Sequence, residues 1–280
     1  MKNIEPKLSS IDEEIEYCLA GKKLFGDDFT EDQIRQWFRD EELGYYNLGG
    51  NKKERYTYGY HALNLRHGYN VLPGRKFKHV LGLGSAYGEE LYPILDKSDQ
   101  ITILEPADGF ATHMVQGVPV SYVKPEPLGD MPFESATFDM ISCFGVLHHI
   151  PNVSKVIREI FRCLEPGGYV LIREPVHSMG DWRKPRSGLT RRERGIPQNI
   201  LSKIIEESGF EILREKKCMF SLTSRLRFLM RTPVYGNKLV VFFDELICSL
   251  PIWPNRYHAT SAIYKLRPTS VFFVLQRPES

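Results

Sequence analysis

The feature that most constrains this chain is the run from Phe138 to Glu174. An apolar stretch, "FDMISCFGVL", is followed by a helix-patterned stretch and then a second apolar stretch, "YVLIRE". A strand that lacks polar alternation is stable where both faces of its sheet are covered, as in a parallel strand between two helix layers. Between the two runs, Val153, Val156, Ile157, Ile160, Phe161 and Leu164 recur at steps of three and one, which is one helical face. Pro151 and Asn152 start this helix, and Pro166-Gly167-Gly168 stops it.

The alternation continues on both sides. "KHVLGL" (78–83), "ITILE" (101–105) and "VSYV" (120–123) read as strands, with helices predicted over 86–95 and 107–115. Downstream, a helix over 197–208 precedes strands "FEILREKKC" (210–218) and "SVFFVLQR" (270–277). The predicted class is α/β, with helices on both faces of a largely parallel sheet. Residues 1–70 read as a polar helical cap, with helices near 10–20, 30–40 and 57–68, an N-cap at Thr30, and a tyrosine-rich stretch at its end.

Residues 221–268 break the alternation and read as a helical insertion or lid between a core at 71–220 and a last core strand at 269–280. The most apolar part, Leu239 to Trp253, is interrupted by Asp244 and Glu245 and is too short to span a bilayer. It is read as a buried or lid helix, with a membrane-surface helix as the alternative.

Composition sets bounds. A chain of 280 residues with 42% hydrophobic content can bury a sizeable core. A net charge of +2 gives no whole-chain reason to expect nucleic acid. The five cysteines are scattered and form no CxxC pair, which argues against a structural zinc site or disulfide framework. No metal site is expected, because Glu174 and His177 supply two ligands without a third. The acidic start "MKNIEPKLSSIDEE" carries no export signal, so a reducing cytoplasm is the expected location.

Gly82-x-Gly84-x-x-x-Gly88 lies between a strand and a helix, a turn that lets backbone approach a ligand closely. Glu105 ends the next strand, 21 residues after Gly84. From there a carboxylate reaches ribose hydroxyls.

With this turn and acid, "MPFESATFDMISCFGVLHHIPN" (131–152) and "VIREIFRCLEPGGYVLIREP" (156–175) resemble the class I S-adenosylmethionine-dependent methyltransferases, of the type 11-like kind with an "LHH" element. The resemblance implies a Rossmann-like, doubly wound, seven-stranded sheet with its last strand antiparallel. It implies S-adenosyl-L-methionine as cofactor and S-adenosyl-L-homocysteine as product. Gly82, Gly84, Ser85 and Gly88 would line its methionine and ribose part, and Glu105 would take both ribose hydroxyls. Pro106 and Ala107 would meet the adenine edge, Glu126 or Asp130 its amino group, and Phe144 would complete the contact from the fourth strand.

Two departures stand out. Gly82 occupies the position where the family usually has an acid, and Ala86 that of a glycine. Ala86 is expected to be tolerated where the turn needs no positive φ. Tyr60, with Tyr58 and His61, is the candidate for holding the cofactor's amino end in place of the missing acid.

Methylation of an oxygen needs a base, and histidine is suited to it. His148 and His149 close the fourth strand, with His148 expected to face the cofactor; Glu174 and His177 would pair with it or act themselves. The loop "DWRKPRSGLTRRER" holds six basic residues against Glu193 from Arg183 onward. Trp182, Arg183 and Arg186 are therefore read as acceptor-binding, and an anionic or sugar-containing acceptor is expected.

The expected function is O-methylation of a small polar acceptor such as a sugar, sugar nucleotide or glycan intermediate by a histidine base. The alternatives are a quinone or lipid C-methyltransferase, and an RNA or protein methyltransferase using the 183–194 loop. No RNA-binding domain accompanies that loop, which argues against nucleic acid. A non-catalytic cofactor-binding scaffold is a third class, disfavoured by the intact "LHH".

Overall fold

The apolar runs form the centre of a sheet in the computed structural model, which describes residues 10–45, 56–254 and 256–279. The start of the chain and the 46–55 part of the tyrosine-rich stretch lie outside the described residues. Seven strands make the main sheet: β1 (Phe77–Leu83), β2 (Ser98–Leu104), β3 (Ser121–Val123), β4 (Phe138–Phe144), β5 (Leu164–Pro175), β6 (Glu211–Phe220) and β7 (Pro268–Gln276). Their order across the sheet is β3-β2-β1-β4-β5-β7-β6. The neighbours from β3 to β5 are parallel, whereas β7 is antiparallel to both β5 and β6.

The chain reverses its direction of growth between β1 and β4, the place where an open α/β sheet leaves a crevice beyond the carboxyl ends of its strands. Every residue of β4 is buried, as its unbroken apolar run requires. Two apolar clusters cover the faces of the sheet. One is built around α4 (Val153–Cys163) and α5 (Gln198–Glu207), the other around α3 (His61–His67) and the insertion. Val153, Val156, Ile157 and Ile160 of α4 all point into the first cluster, in agreement with their spacing.

Before the sheet come α1 (Ile11–Leu19) and α2 (Glu31–Tyr45). Thr30 caps α2 reciprocally. Gln33 Oε1 accepts the Thr30 N–H at 2.9 Å, and the Gln33 N–H points back to the Thr30 hydroxyl at 3.5 Å. The insertion holds short 3-10 turns, α6 (Lys238–Cys248) and the short α7 (Ala262–Lys265).

Two predicted helices take other forms. Over 107–115 there is one 3-10 turn, Asp108–Phe110, and then a small hairpin pairing Met114–Val115 with Val118–Pro119. Gln116 and Gly117 both adopt positive φ at its tip (47° and 81°), the geometry that suits a two-residue hairpin. The helix predicted over 86–95 begins only at Glu89 and runs to Lys97 as a 3-10 helix. Gly88 is still in the left-handed turn, and Pro93 removes a donor from the middle of the segment.

Candidate active site

At the carboxyl ends of β1, β2 and β4 a cleft encloses about 1020 Å³ of space open to solvent. Its floor is Gly84, Gly145 and Val146; one wall is Glu105, Pro106 and Ala107, and the other runs from Glu126 through Asp130 to Met131. Phe38, Glu41 and Glu42 of α2 close over it, beside His149.

The glycine turn is held open by its backbone. The Gly84 N–H donates to the Leu104 carbonyl at 2.8 Å, and Gly84 sits at φ 62°. A Cβ there would come within 2.6 Å of Val146. Ala86 also lies in the left-handed region, at φ 45°, so the turn does need a positive φ at this position, contrary to expectation. A non-glycine residue there costs roughly 1 kcal/mol. Ala86 is clamped at both ends. Its N–H donates to Glu105 Oε2 at 3.0 Å, and its carbonyl accepts from the Tyr122 hydroxyl at 2.7 Å.

Glu105 follows β2 directly, 6% exposed, with Oε1 accepting the Ala107 N–H at 3.2 Å. Burial pushes its carboxyl up to about 7 despite these two donors. Its pocket is therefore one in which a polar partner for the carboxylate would relieve a desolvation penalty, which fits a ribose diol.

The space next to Gly82 is filled. A Cβ on Gly82 would strike the Ser85 hydroxyl, which itself donates to Glu90 Oε1 at 2.7 Å. The Ser142 hydroxyl donates to the same oxygen at 2.8 Å. Glu90, 3% exposed and raised to about 7 by burial, is thus an acid beneath the turn that sequence reasoning missed. Its signal was the second glutamate after Gly88.

Both carboxyls make a prediction about pH. Their folded values lie above the ordinary 4.5, so the stability they contribute is full below about 4.5 and is lost as pH rises through about 7. Each shift corresponds to about 3 kcal/mol. Melting curves of the ligand-free protein should fall between pH 5 and 8, and Glu90→Gln should flatten that fall. An identical pH slope in wild type and variant would overturn the assignment.

The "LHH" element is one 3-10 turn, Leu147–His149, and its two imidazoles pack against each other at 4.1 Å between ring centroids yet bond to different partners. His148 is 7% exposed and sits between two acids, with Nδ1 2.8 Å from Glu174 Oε2 and Nε2 3.5 Å from Glu193 Oε1. Burial alone would lower its pKa, but the two carboxylates raise it to about 9. Glu174 is fully buried and also accepts the N–H groups of Val146 and Leu147, both at 2.8 Å. Burial would raise the Glu174 carboxyl, yet His148 and these donors hold it below the usual carboxylate range. Glu193 is likewise held down, at about 2, its burial outweighed by the two histidines. The pair is an internal brace, and the expectation that His148 faces the cofactor is corrected.

His149 is the histidine that lines the cleft. Its Nδ1 lies 2.7 Å from Glu41 Oε2, and its carbonyl accepts the Trp37 indole N–H at 2.7 Å. Trp37 and Glu41 are one turn apart on α2, so one helix face holds both the backbone and the ring of His149. Glu41 also accepts from the Thr190 hydroxyl (2.6 Å) and the Arg192 N–H (3.0 Å). Nothing in the residues around Glu41 marked it in advance, since its role depends on contact with a loop over 100 positions away.

The other predicted site residues, Asp130 apart, lie elsewhere. His177 does not line the cleft and accepts the Met179 N–H at 3.1 Å; burial and the charge of Arg267 lower it to about 4. Ser85 and Gly88 pack under the turn, the latter against Ile103 and Val115. Phe144 is buried against Tyr69 and Phe272, and Tyr60 covers the Arg173 guanidinium at 4.0 Å, so neither reaches the cleft. Tyr58 bonds Asn64, and His61 stacks on Tyr92. Asp130 lines the cleft and pairs with Lys155 at 2.7 Å.

Four of the loop's six basic residues are engaged within the protein, while Lys184 and Arg191 are exposed. Trp182 stacks on Phe25 and donates to the Ser178 carbonyl, and Arg183 pairs with Asp181 and Glu16. Arg186 donates to carbonyls, among them those of Thr190 and Arg191, while Arg192 pairs with Asp40. Arg194, fully buried, donates to the carbonyls of Phe25, His148 and Ile150. None of Trp182, Arg183 and Arg186 lines the cleft, so the acceptor-binding expectation for them is corrected.

His148, His149 and Glu193 do bring ligand atoms within 4.8 Å of one another. Within that group the two ring nitrogens of His148 already face the carboxylates of Glu174 and Glu193.

The geometry defines a class, and comparison with known proteins agrees. Residues 81–172 match the family model described as "Methyltransferase domain". A "Probable S-adenosylmethionine-dependent methyltransferase" of Mycolicibacterium smegmatis is 25% identical over 172 residues, which are 60% of this chain and 65% of that protein. A "Ubiquinone biosynthesis O-methyltransferase" of Shewanella halifaxensis is 31% identical over 98 residues, 33% of this chain and 42% of that one. The chain thus spans less than two thirds of the length of these relatives. Among solved structures, the [4+2]-cyclase SpnF superposes with a TM-score of 0.51 at 15% identity, covering 91% of this chain and 100% of its own; it shows the fold alone. Residues 81–172 are thus similar to a methyltransferase domain, and the cofactor this similarity implies is S-adenosylmethionine.

Proposed function

We propose that the chain transfers the methyl group of S-adenosylmethionine to a hydroxyl oxygen of a small, neutral, polar acceptor, a saccharide or the sugar part of a glycan intermediate. The observation that carries this reading is the His149–Glu41 pair on the wall of the cleft. When bound, the cofactor supplies an electrophilic methyl group and leaves as S-adenosylhomocysteine. Glu105 would accept the ribose hydroxyls, and Pro106 and Ala107 would flank the adenine, with Glu126 or Asp130 at its amino group. Gly84 would let the methionine part pass over the turn, and Glu90, through Ser85, would stand in for the acid absent at Gly82.

Glu41 accepts the Nδ1 proton of His149, which leaves the lone pair on Nε2. That nitrogen takes the hydroxyl proton as the new carbon–oxygen bond forms and the carbon–sulfur bond breaks. Closure of α2 over the cleft excludes water from the reacting oxygen.

Among the described residues the cleft lining includes acids but no lysine or arginine. This supports an acceptor of hydroxyls rather than phosphates, and the internal engagement of Arg183, Arg186, Arg192 and Arg194 weighs against RNA. A second reading, a quinone or lipid acceptor, is favoured by the apolar surface described below. A turnover screen with neutral glycans, sugar nucleotides, quinols and RNA tests the proposal. Methylation of neutral glycans is expected, and turnover with quinols alone would establish the second reading instead.

A further inference from the structure

Most exposed large apolar side chains among the described residues fall between Leu222 and Leu266. Helix α6 is apolar on two faces. Val241, Asp244 and Cys248 turn inward, while Leu239 (71% exposed), Phe243 (59%) and Leu246 (51%) face out. Phe228 (75%) and Leu229 (82%) extend the surface on the preceding turn. A helix that is apolar all round belongs in a core or against a non-aqueous surface, and half of this one has no protein over it.

Charge narrows the partner. Arg225, Arg227, Arg231, Lys238, Arg256 and Lys265 of the same segment are all exposed. The segment has two acids, and both are engaged within the protein. Asp244 accepts the N–H groups of Met219 and Phe220, and Glu245 pairs with Arg66 and Arg214. What remains outside is apolar and cationic. No helix among the described residues is long and apolar enough to cross a membrane.

We infer that residues 222–266 dock the protein on an anionic phospholipid bilayer, with the outer face of α6 and the Phe228–Leu229 turn entering the headgroup region. Because β6 ends at Phe220 and β7 begins at Pro268, the segment springs from the same edge of the sheet as the cleft.

The test is co-sedimentation of the full chain with phosphatidylcholine vesicles, with and without phosphatidylglycerol. Partitioning at least about tenfold stronger onto the anionic vesicles is expected, and it should weaken as salt is raised. The double variant Leu239→Glu, Phe243→Glu should lose it by about tenfold while keeping its melting temperature and cofactor affinity. Equal or absent partitioning onto the two vesicles would overturn the inference, as would full retention in the variant. A dimer by light scattering that the variant dissolves, without vesicle binding, would assign the surface to a second copy of the chain. Cofactor affinity, measured separately, reports on the functional reading and is unaffected by any of these outcomes.

Discussion

Glu105→Gln should weaken S-adenosylmethionine binding by two orders of magnitude or more, measured by titration calorimetry. A carboxylate that accepts two ribose hydroxyls makes two charge-assisted bonds, together about 3–6 kcal/mol. At 1.4 kcal/mol per factor of ten, losing even the smaller figure costs about a hundredfold. The same carboxyl also accepts from Ala86 and Ala107, so its loss loosens the turn it serves. Since burial raises it to about 7 in the empty protein, a second readout follows. The ionised form binds the diol, so affinity should fall as pH drops below about 7, approaching tenfold per unit. The glutamine variant should lack this dependence. Unchanged affinity in the variant would remove Glu105 from the ribose site.

Glu105 was legible because it rests on a local rule: a strand, a glycine turn, and the end of the next parallel strand. The sheet was legible for a similar reason. Runs such as Phe138–Phe144 admit few other environments, and the register of α4 follows from spacing alone. The hairpin at 114–119 was not, because Gln-Gly is a weaker turn signal than Asn-Gly and the segment has no clear period.

The site was half legible. Residues on the rim of the sheet, such as Gly84, Pro106 and Asp130, are where the pattern puts them. Which of two adjacent histidines faces the ligand depends on a 3-10 turn and on Glu174, whose three backbone donors set the orientation of that turn. Likewise, six basic residues in one loop suggest an anion until the partners of four of them are seen. Arg186 and Arg194 bond to carbonyls, which no side-chain pattern announces. The left-handed Ala86 is a further case, stabilised by Tyr122 and Glu105 from two other segments.

His149→Ala should lower kcat by about 10²–10⁴-fold with cofactor affinity unchanged, the range for loss of a general base. Glu41→Gln should act in the same direction without removing the ring. An amide can present N–H to Nδ1, which favours the tautomer with its proton on the nitrogen that must accept one. His148 gives the contrast that makes this test specific. With a pKa near 9 between Glu174 and Glu193, it is protonated at neutral pH and has no lone pair to offer. Its substitution should appear in the melting temperature, because it leaves two buried carboxylates facing each other without a cation. If His148→Gln abolished turnover at an unchanged melting temperature while His149→Ala remained active, the roles would be reversed. The geometry argues otherwise: the imidazole that α2 grips by ring and backbone is the one on the cleft wall, so a single helix would both roof the proposed acceptor space and orient the proposed base.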